Sequence, residues 1–259
     1  MLLGLLLVGG AMFTYFTSTK SDYNEVTGEQ QRVGLSEEEE VAMGLHARPR
    51  MMQQHGGLWH DNAAQALVDR VGNKLVQSSA AKDMPYNYEF HLLADEDTIN
   101  AFALPGGQVF ITAALMRNFK TEDELAGVLG HEVGHVVARH SAEQIAKSKL
   151  WSGVTSALVM ASGGGGTGNA QLAGLVNKVV NTRYGRNDEY ESDMLGLRFM
   201  HRAGYDLEAA IKVMKVLEST GSKGRGPEFL STHPSPANRI QLIQDEIDRI
   251  RSGKADWQQ

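Results

Sequence analysis

The sequence predicts an α+β fold, mostly helical with a small sheet. Three observations predict it. Apolar positions such as Ala64, Leu67, Val68, Val71, Leu75 and Val76 recur at helical spacing. The period shortens to two only near the middle of the chain, where Tyr86, Tyr88, Phe90 and Leu92 alternate with Asn87, Glu89 and His91. Helix-start signals stand at Ser36, Thr121 and Asp206. A chain of 259 residues is long enough for one sizeable domain, or at most two small ones.

Taken in order, Met1–Phe16 is almost wholly apolar. As a helix it spans about 24 Å, a little short of the hydrocarbon core of a bilayer. No lysine or arginine precedes it, and the small residues Gly9, Gly10 and Ala11 do not form an A-x-A cleavage pattern. Residues 1–20 are therefore expected to be an export signal peptide or a signal anchor, making the chain's one membrane contact. Residues 21–35 are polar and read as a linker. One domain is expected over 36–259.

Ser36 followed by four glutamates starts a helix that Pro49 should stop near Ala47. A second helix runs from about Asp61 to Ser78. Strands follow around Tyr86–Leu92 and Gln108–Thr112, with Pro105-Gly-Gly107 as a turn. A short helix is expected around Ala113–Asn118. Thr121-Glu-Asp-Glu124 reads as a capping box opening one long helix to about Leu150. Further helices are expected over 188–202, from Asp206 through Ser219, and up to about Arg251. The Gly-rich stretch at 163–168 lacks the Gly-Lys-Ser/Thr ending of a phosphate loop and reads as a connection.

The composition excludes several chemistries. There is no cysteine, so no disulfide, thiolate nucleophile, thiolate metal site or lipoprotein anchor is available. A formal net charge of −6 argues against nucleic acid as a partner.

The residues that carry chemistry begin at His131-Glu-Val-Gly-His135. On a helix, positions four apart lie about 40° apart around the axis, so both imidazoles can grip one ion, while Glu132 sits about 100° round and reaches water on that ion. Zinc suits such a set and leaves a position for water, whose pKa it lowers to about 7. Glu132 would take that proton and hand it to the leaving amine. The alternative, two surface histidines on a helix, fits poorly with the apolar Leu125, Val128, Leu129, Val133, Val136 and Val137 around them.

A third ligand is needed. A third histidine ten residues after the first is excluded, because that position is Ser141. His140 falls on the far side of a continuous helix and reads as structural. Glu189 and Asp193 share a helix face. Glu189 would bind zinc, and Asp193 would hold the N–H of one ligating histidine. Glu191 points elsewhere on that helix.

With these residues in view, the chain resembles the gluzincin metallopeptidases of family 48, which include HtpX, the CAAX prenyl proteases and their soluble envelope relatives. The resemblance covers 36–251. It rests on Asn100-Ala-Phe-Ala-Leu-Pro-Gly-Gly107, Glu124-Leu-Ala-Gly-Val-Leu-Gly-His-Glu-Val-Gly-His135, Glu189-Tyr-Glu-Ser-Asp193 and Thr232-His-Pro234. It implies one zinc ion per chain held by His131, His135 and Glu189, with Glu132 as general base. It implies a small sheet packed on the active helix, with Gln108, Val109, Phe110 and Ile111 in a substrate-binding edge strand to which an extended polypeptide adds as a further strand. His233 matches the family's histidine after the third ligand. It would donate to the oxyanion with Arg239 nearby, or cap the metal in a resting state, or be a loop histidine fixed by Pro234. Tyr184 and Arg183 are weaker candidates for substrate contact.

The expected function is endoproteolysis of unfolded or damaged protein in the cell envelope. The competing readings are a chaperone-like binding protein that keeps the fold without cutting, and a zinc hydrolase of another amide or ester. The Gly-rich stretches at 163–168 and 221–226, or the N-terminal segment, would be the gate if the enzyme is latent.

Overall fold

A computed structural model of the protein describes residues 12–13, 15–17, 19–148, 183–221, 227–234 and 238–254. Most of the apolar N-terminal segment and the glycines at 163–168 and 222–226 lie outside the described residues. Among the described residues no helix is long and apolar enough to cross a membrane.

The stretch read as a linker contains an antiparallel hairpin, β1 (Lys20–Asn24) and β2 (Glu29–Val33), in register from Lys20↔Val33 to Asn24↔Glu29. Its polar sequence reflects an exposed ribbon that docks by hydrogen bonds instead of apolar burial. Asn24 Nδ2 donates to Val137 O (2.8 Å) and Gln31 Nε2 to Ala138 O (2.6 Å). These carbonyls end the helix carrying His131 and His135, where backbone acceptors lack partners within the helix.

Helix α1 (Glu37–Gln54) opens with a reciprocal capping box between Ser36 and Glu39 and continues through Pro49. The expected stop near Ala47 does not occur. Pro49 has no N–H for the carbonyl of Leu45, but Leu45 is 43% exposed, so solvent can reach that side of the turn. Helix α2 (Asn62–Gln77) is capped by Asp61, whose carboxylate accepts the N–H groups of Ala63 and Ala64.

Three strands follow, β3 (Glu89–Leu93), β4 (Ala101–Leu104) and β5 (Gln108–Thr112), in the spatial order β3-β5-β4. β5 runs parallel to β3 and antiparallel to β4. This corrects the expectation for Gln108–Thr112: β5 is the central strand, fully buried, and β3 and β4 are the edges. Phe110, with Phe102 and Leu104, packs toward α1. Val109 and Ile111 pack into the larger core with α2 and the active helix. With β3 paired along one edge and β4 along the other, β5 has no free edge to which a substrate strand could add.

After α3 (Ala113–Met116), α4 (Glu122–Val137) carries the HEVGH sequence. Only half of the expected capping box forms: Thr121 Oγ1 accepts the Glu124 N–H at 3.3 Å, but the Glu124 carboxylate takes the N–H of Lys120. The long helix expected to reach Leu150 is broken. Ala138 and Arg139 form a turn, Arg139 takes a left-handed φ of 54°, and a second helical stretch begins at 140. A side chain in that region costs roughly 1–2 kcal/mol, and the Arg139 guanidinium is held in return. It donates to Glu40 Oε2 (3.0 Å), Asp22 Oδ2 (2.5 Å) and Leu35 O (3.0 Å). Burial pushes the Glu40 carboxyl up to about 7, against the pull of Arg139 and the Tyr86 hydroxyl.

The remaining helices are α5 (Arg186–Arg202), α6 (Glu208–Gly221), α7 (Glu228–Thr232) and α8 (Arg239–Arg251). α4 lies at the centre, against the sheet on one side and α5 on the other. Glycines set the α4–α5 spacing. A Cβ on Gly134 would meet Ser192 Oγ at 2.7 Å and Ser192 O at 2.8 Å, and one on Gly196 would meet Gly130 C at 3.0 Å. The Ser192 hydroxyl bonds to His131 O across this seam. Gly134→Ala is therefore expected to push α5 away and lower stability by about 1–3 kcal/mol. Gly127→Ala on the same helix meets nothing nearer than 3.4 Å and should raise stability by up to about 1 kcal/mol. Urea unfolding of the two variants checks the pair, and equal effects would remove the seam as the cause.

Candidate metal centre

Because α4 and α5 lie so close, side chains from both meet in a buried pocket. His131 and His135 come from α4, Glu189 from the first turn of α5, and His233 from the residue after α7. One ligand atom from each of these four lies within 4.8 Å of all the others. His131 Nε2 and His135 Nε2 are 3.0 Å apart, and His131 Nε2 lies 3.2 Å from His233 Nδ1. Glu189 Oε1 is 3.4 Å from His135 Nε2 and 2.9 Å from His233 Nδ1, and Glu189 Oε2 is 3.6 Å from His131 Nε2. Ligand atoms around a tetrahedral zinc ion stand about 3.3 Å apart, given bonds of about 2.0–2.1 Å. These separations bracket that value. Three ring nitrogens and a carboxylate oxygen gathered within 4.8 Å of one another form a group that could hold a single cation. The donor set, three imidazoles and a carboxylate with no sulfur, fits zinc.

Buried charge is balanced behind the ligands. Asp193 Oδ1 accepts from His131 Nδ1 at 2.9 Å. Arg239, 3% exposed, holds Asp193 through Nε (2.7 Å) and Nη2 (2.8 Å), and its Nη1 lies 2.6 Å from Glu189 Oε2. Burial pushes the Asp193 carboxyl up, and Arg239 with the His131 N–H outweighs it, leaving Asp193 below the usual carboxylate range. Burial likewise acts on Glu189, where His233, His135 and His131 outweigh it and hold the carboxyl well below that range. His135 is held neutral by burial, well below the ordinary imidazole value.

Glu132 is 1% exposed, and its Oε1 has no hydrogen-bond partner among the described residues. Burial raises its carboxyl, opposed by His233, whose Nε2 stands 3.6 Å away. His233 thus turns Nδ1 toward the ligand group and Nε2 toward Glu132. Burial lowers this imidazole, and the Glu189 and Glu132 carboxylates outweigh it, so its pKa is raised.

The structure brings together His131, Glu132, His135, Glu189, Asp193, His233 and Arg239. Gln108, Val109, Phe110 and Ile111 stand apart in the central strand. Arg239 differs from its expected place: its guanidinium is engaged by carboxylates inside the protein and is closed to substrate. Tyr184, a weak candidate from sequence, is buried and stacks on His135 with ring centroids 4.0 Å apart. Two residues escaped the sequence reading. His140 Nδ1 lies 2.8 Å from His135 Nδ1, and His140 Nε2 lies 3.0 Å from Glu191 Oε2. Helical geometry puts His140 on the wrong side of α4, and only the turn at Arg139 brings it back.

Residues 62–247 match the sequence profile of Peptidase family M48. Among curated proteins, the chain is 32% identical over 246 residues to the mitochondrial metalloendopeptidase OMA1 of Schizosaccharomyces pombe, covering 93% of this chain and 70% of that protein. It is 29% identical over 228 residues to the beta-barrel assembly-enhancing protease of Escherichia coli K12, covering 84% of this chain and 45% of that protein. The OMA1 protein of Arabidopsis thaliana is 36% identical over 156 residues, covering 59% of this chain and 30% of its own length. The chain thus spans less than half the length of the last two.

Proposed function

The chain belongs to peptidase family M48 and is a zinc-dependent metalloendopeptidase, and from that premise we propose that it clears unfolded or damaged polypeptides in the cell envelope. The observation that carries this reading is the convergence of His131, His135 and Glu189 beside Glu132, whose Oε1 has no hydrogen bond among the described residues. His131, His135 and Glu189 are the zinc ligands, Glu132 is the general base, and Asp193 with Arg239 fixes the His131 ring. Zinc, when bound, supplies a Lewis acid that polarises a carbonyl and acidifies water. Glu132 then accepts the proton of the attacking water and delivers it to the departing amide nitrogen. His233 would hold the metal as a further ligand through Nδ1, and its Nε2 stands 3.6 Å from the base. This supports a resting role for His233, with cleavage requiring it to withdraw.

Substrate is held as an added strand on β4. Two observations support this. The outer edge of β3 is already filled: Gln65 bonds Phe90 O and the Leu92 N–H, and Trp59 N–H donates to Leu92 O. On β4 the Thr112 N–H donates to Asn100 O, so that pair is hydrogen-bonded and Ala101 and Ala103 turn their N–H and C=O groups away from β5. Main-chain pairing there is indifferent to sequence, as cleavage of damaged protein requires. The names of the relatives, a mitochondrial metalloendopeptidase and a beta-barrel assembly-enhancing protease, support a place in or beside a membrane-bounded compartment. The apolar N-terminal segment supports export or tethering.

The test is cleavage of casein by zinc-loaded protein. Activity should vanish with a chelator and return with zinc. Ala103→Pro removes one outward N–H without touching a bond to β5, and should lower kcat/KM about 10-fold or more at unchanged zinc content. Full cleavage in the presence of chelator would overturn the metallopeptidase reading. Unchanged kcat/KM in Ala103→Pro would overturn the strand-addition reading alone. Casein bound but never cut would favour the binding-protein alternative.

A further inference from the structure

We infer that His140 and Glu191 form a positioning relay that orients His135, the counterpart of Asp193 behind His131. The inference rests on the ligand assignment above. With His135 Nε2 turned to the centre, its proton sits on Nδ1 and needs an acceptor. The nearest is His140 Nδ1 at 2.8 Å. That ring can accept only if its own proton is on Nε2, and Nε2 lies 3.0 Å from the Glu191 carboxylate. Each hydrogen bond fixes the tautomer of the next ring. The chain Glu191–His140–His135 thus leaves the Nε2 lone pair of His135 free for metal.

The two ligating histidines are backed differently. His131 meets a carboxylate directly, and Arg239 offsets that charge. His135 meets a second imidazole, and its carboxylate stands one ring further out, on a side chain that is 25% exposed. The rest of the surroundings suits a positioning role. Tyr184 covers one face of His135 with rings inclined by 24°, and its hydroxyl lies 3.2 Å from Ser141 Oγ. Both Ser141 and His140 are placed by the turn at Arg139. That turn is pinned by Glu40 on α1 and by Asp22 on β1. His140 is 2% exposed, so its bond to His135 forms out of competition with water.

Zinc affinity of the full chain, measured by competition with a chromophoric chelator, tests the relay. His140→Leu should weaken zinc binding 10- to 100-fold. His140→Asn offers an amide oxygen near the position of Nδ1 and should return affinity to within a few-fold of the parent. Glu191→Ala should fall between. Cobalt in place of zinc should show a visible spectrum altered in His140→Leu and restored in His140→Asn. Equal zinc affinity in parent and His140→Leu would overturn the relay, as would equal losses in the leucine and asparagine variants. If metal-free His140→Leu shows no unfolding transition, Glu191→Ala decides, and parent-like affinity there overturns the proposal. A parent that binds no zinc would overturn the ligand assignment itself, an outcome distinct from a parent that binds while its variants bind equally.

Discussion

Glu132→Gln should keep one zinc per chain and lower casein cleavage by about 10²–10⁴-fold. The substitution preserves shape and leaves the ligand group untouched, so folding and metal content should not move. It removes the one thing Glu132 supplies, an oxygen that takes up a proton and releases it. The position suits that task. Glu132 directly follows His131 on α4, is almost fully buried, and its Oε1 has no hydrogen bond among the described residues. Burial raises its carboxyl above the ordinary carboxylate value, against the pull of His233 and His131. The measurement is zinc content and cleavage for parent and variant side by side. Cleavage retained at the parent rate would remove Glu132 from the chemistry. Retained casein binding without cleavage would yield a substrate trap and show that recognition does not need the base.

Arg239→Met should destabilise the metal-free protein by about 3–5 kcal/mol, because it strands buried carboxylates without their cation. Arg239 donates to both oxygens of Asp193 and stands 2.6 Å from Glu189 Oε2. Methionine fills much of the volume and none of the charge. The loss should be smaller with zinc present, since the ion then meets Glu189 and only Asp193 is left uncompensated. Urea unfolding with and without zinc reads both effects. Arg239→Lys should recover little, because an ammonium cannot match the two-pronged contact with Asp193. Equal stability of Arg239→Met and the parent without zinc would mean that the carboxylates find other partners.

Local signals carried much of the fold. The α2 stripe, the Asp61, Ser36 and Thr121 starts and the HEVGH spacing are all set within a few residues of themselves. What was not legible depends on distant parts of the chain. Nothing near Ala138-Arg139 predicts a left-handed residue, since both are good helix formers. The turn exists because Glu40, Asp22 and Leu35 hold Arg139 from about a hundred residues away. With the turn hidden, His140 and Glu191 looked unrelated to the centre. The hairpin within the stretch read as a linker was hidden for a similar reason, as it is held by bonds to Val137 and Ala138. The strand order was not legible either. Val109-Phe110-Ile111 is consecutively apolar, the mark of a strand covered on both faces. Ala101–Leu104 on β4 is equally apolar and buried, so the pattern does not tell the central strand from the edge.

The bonds from the hairpin to the end of α4 span 113 and 107 residues of sequence. They have a consequence for the order in which the chain is made. A two-stranded ribbon is at best marginally stable alone, so β1 and β2 gain their docking partner only after Ala138 has emerged. At about 5–20 residues per second, that delay is on the order of 5–20 s. Glu189, Asp193 and Arg239 come later still. A nascent chain therefore carries its HEVGH sequence for some time before the parts needed for cutting are all in place, and during its own synthesis it is a poor threat to unfolded neighbours or to itself.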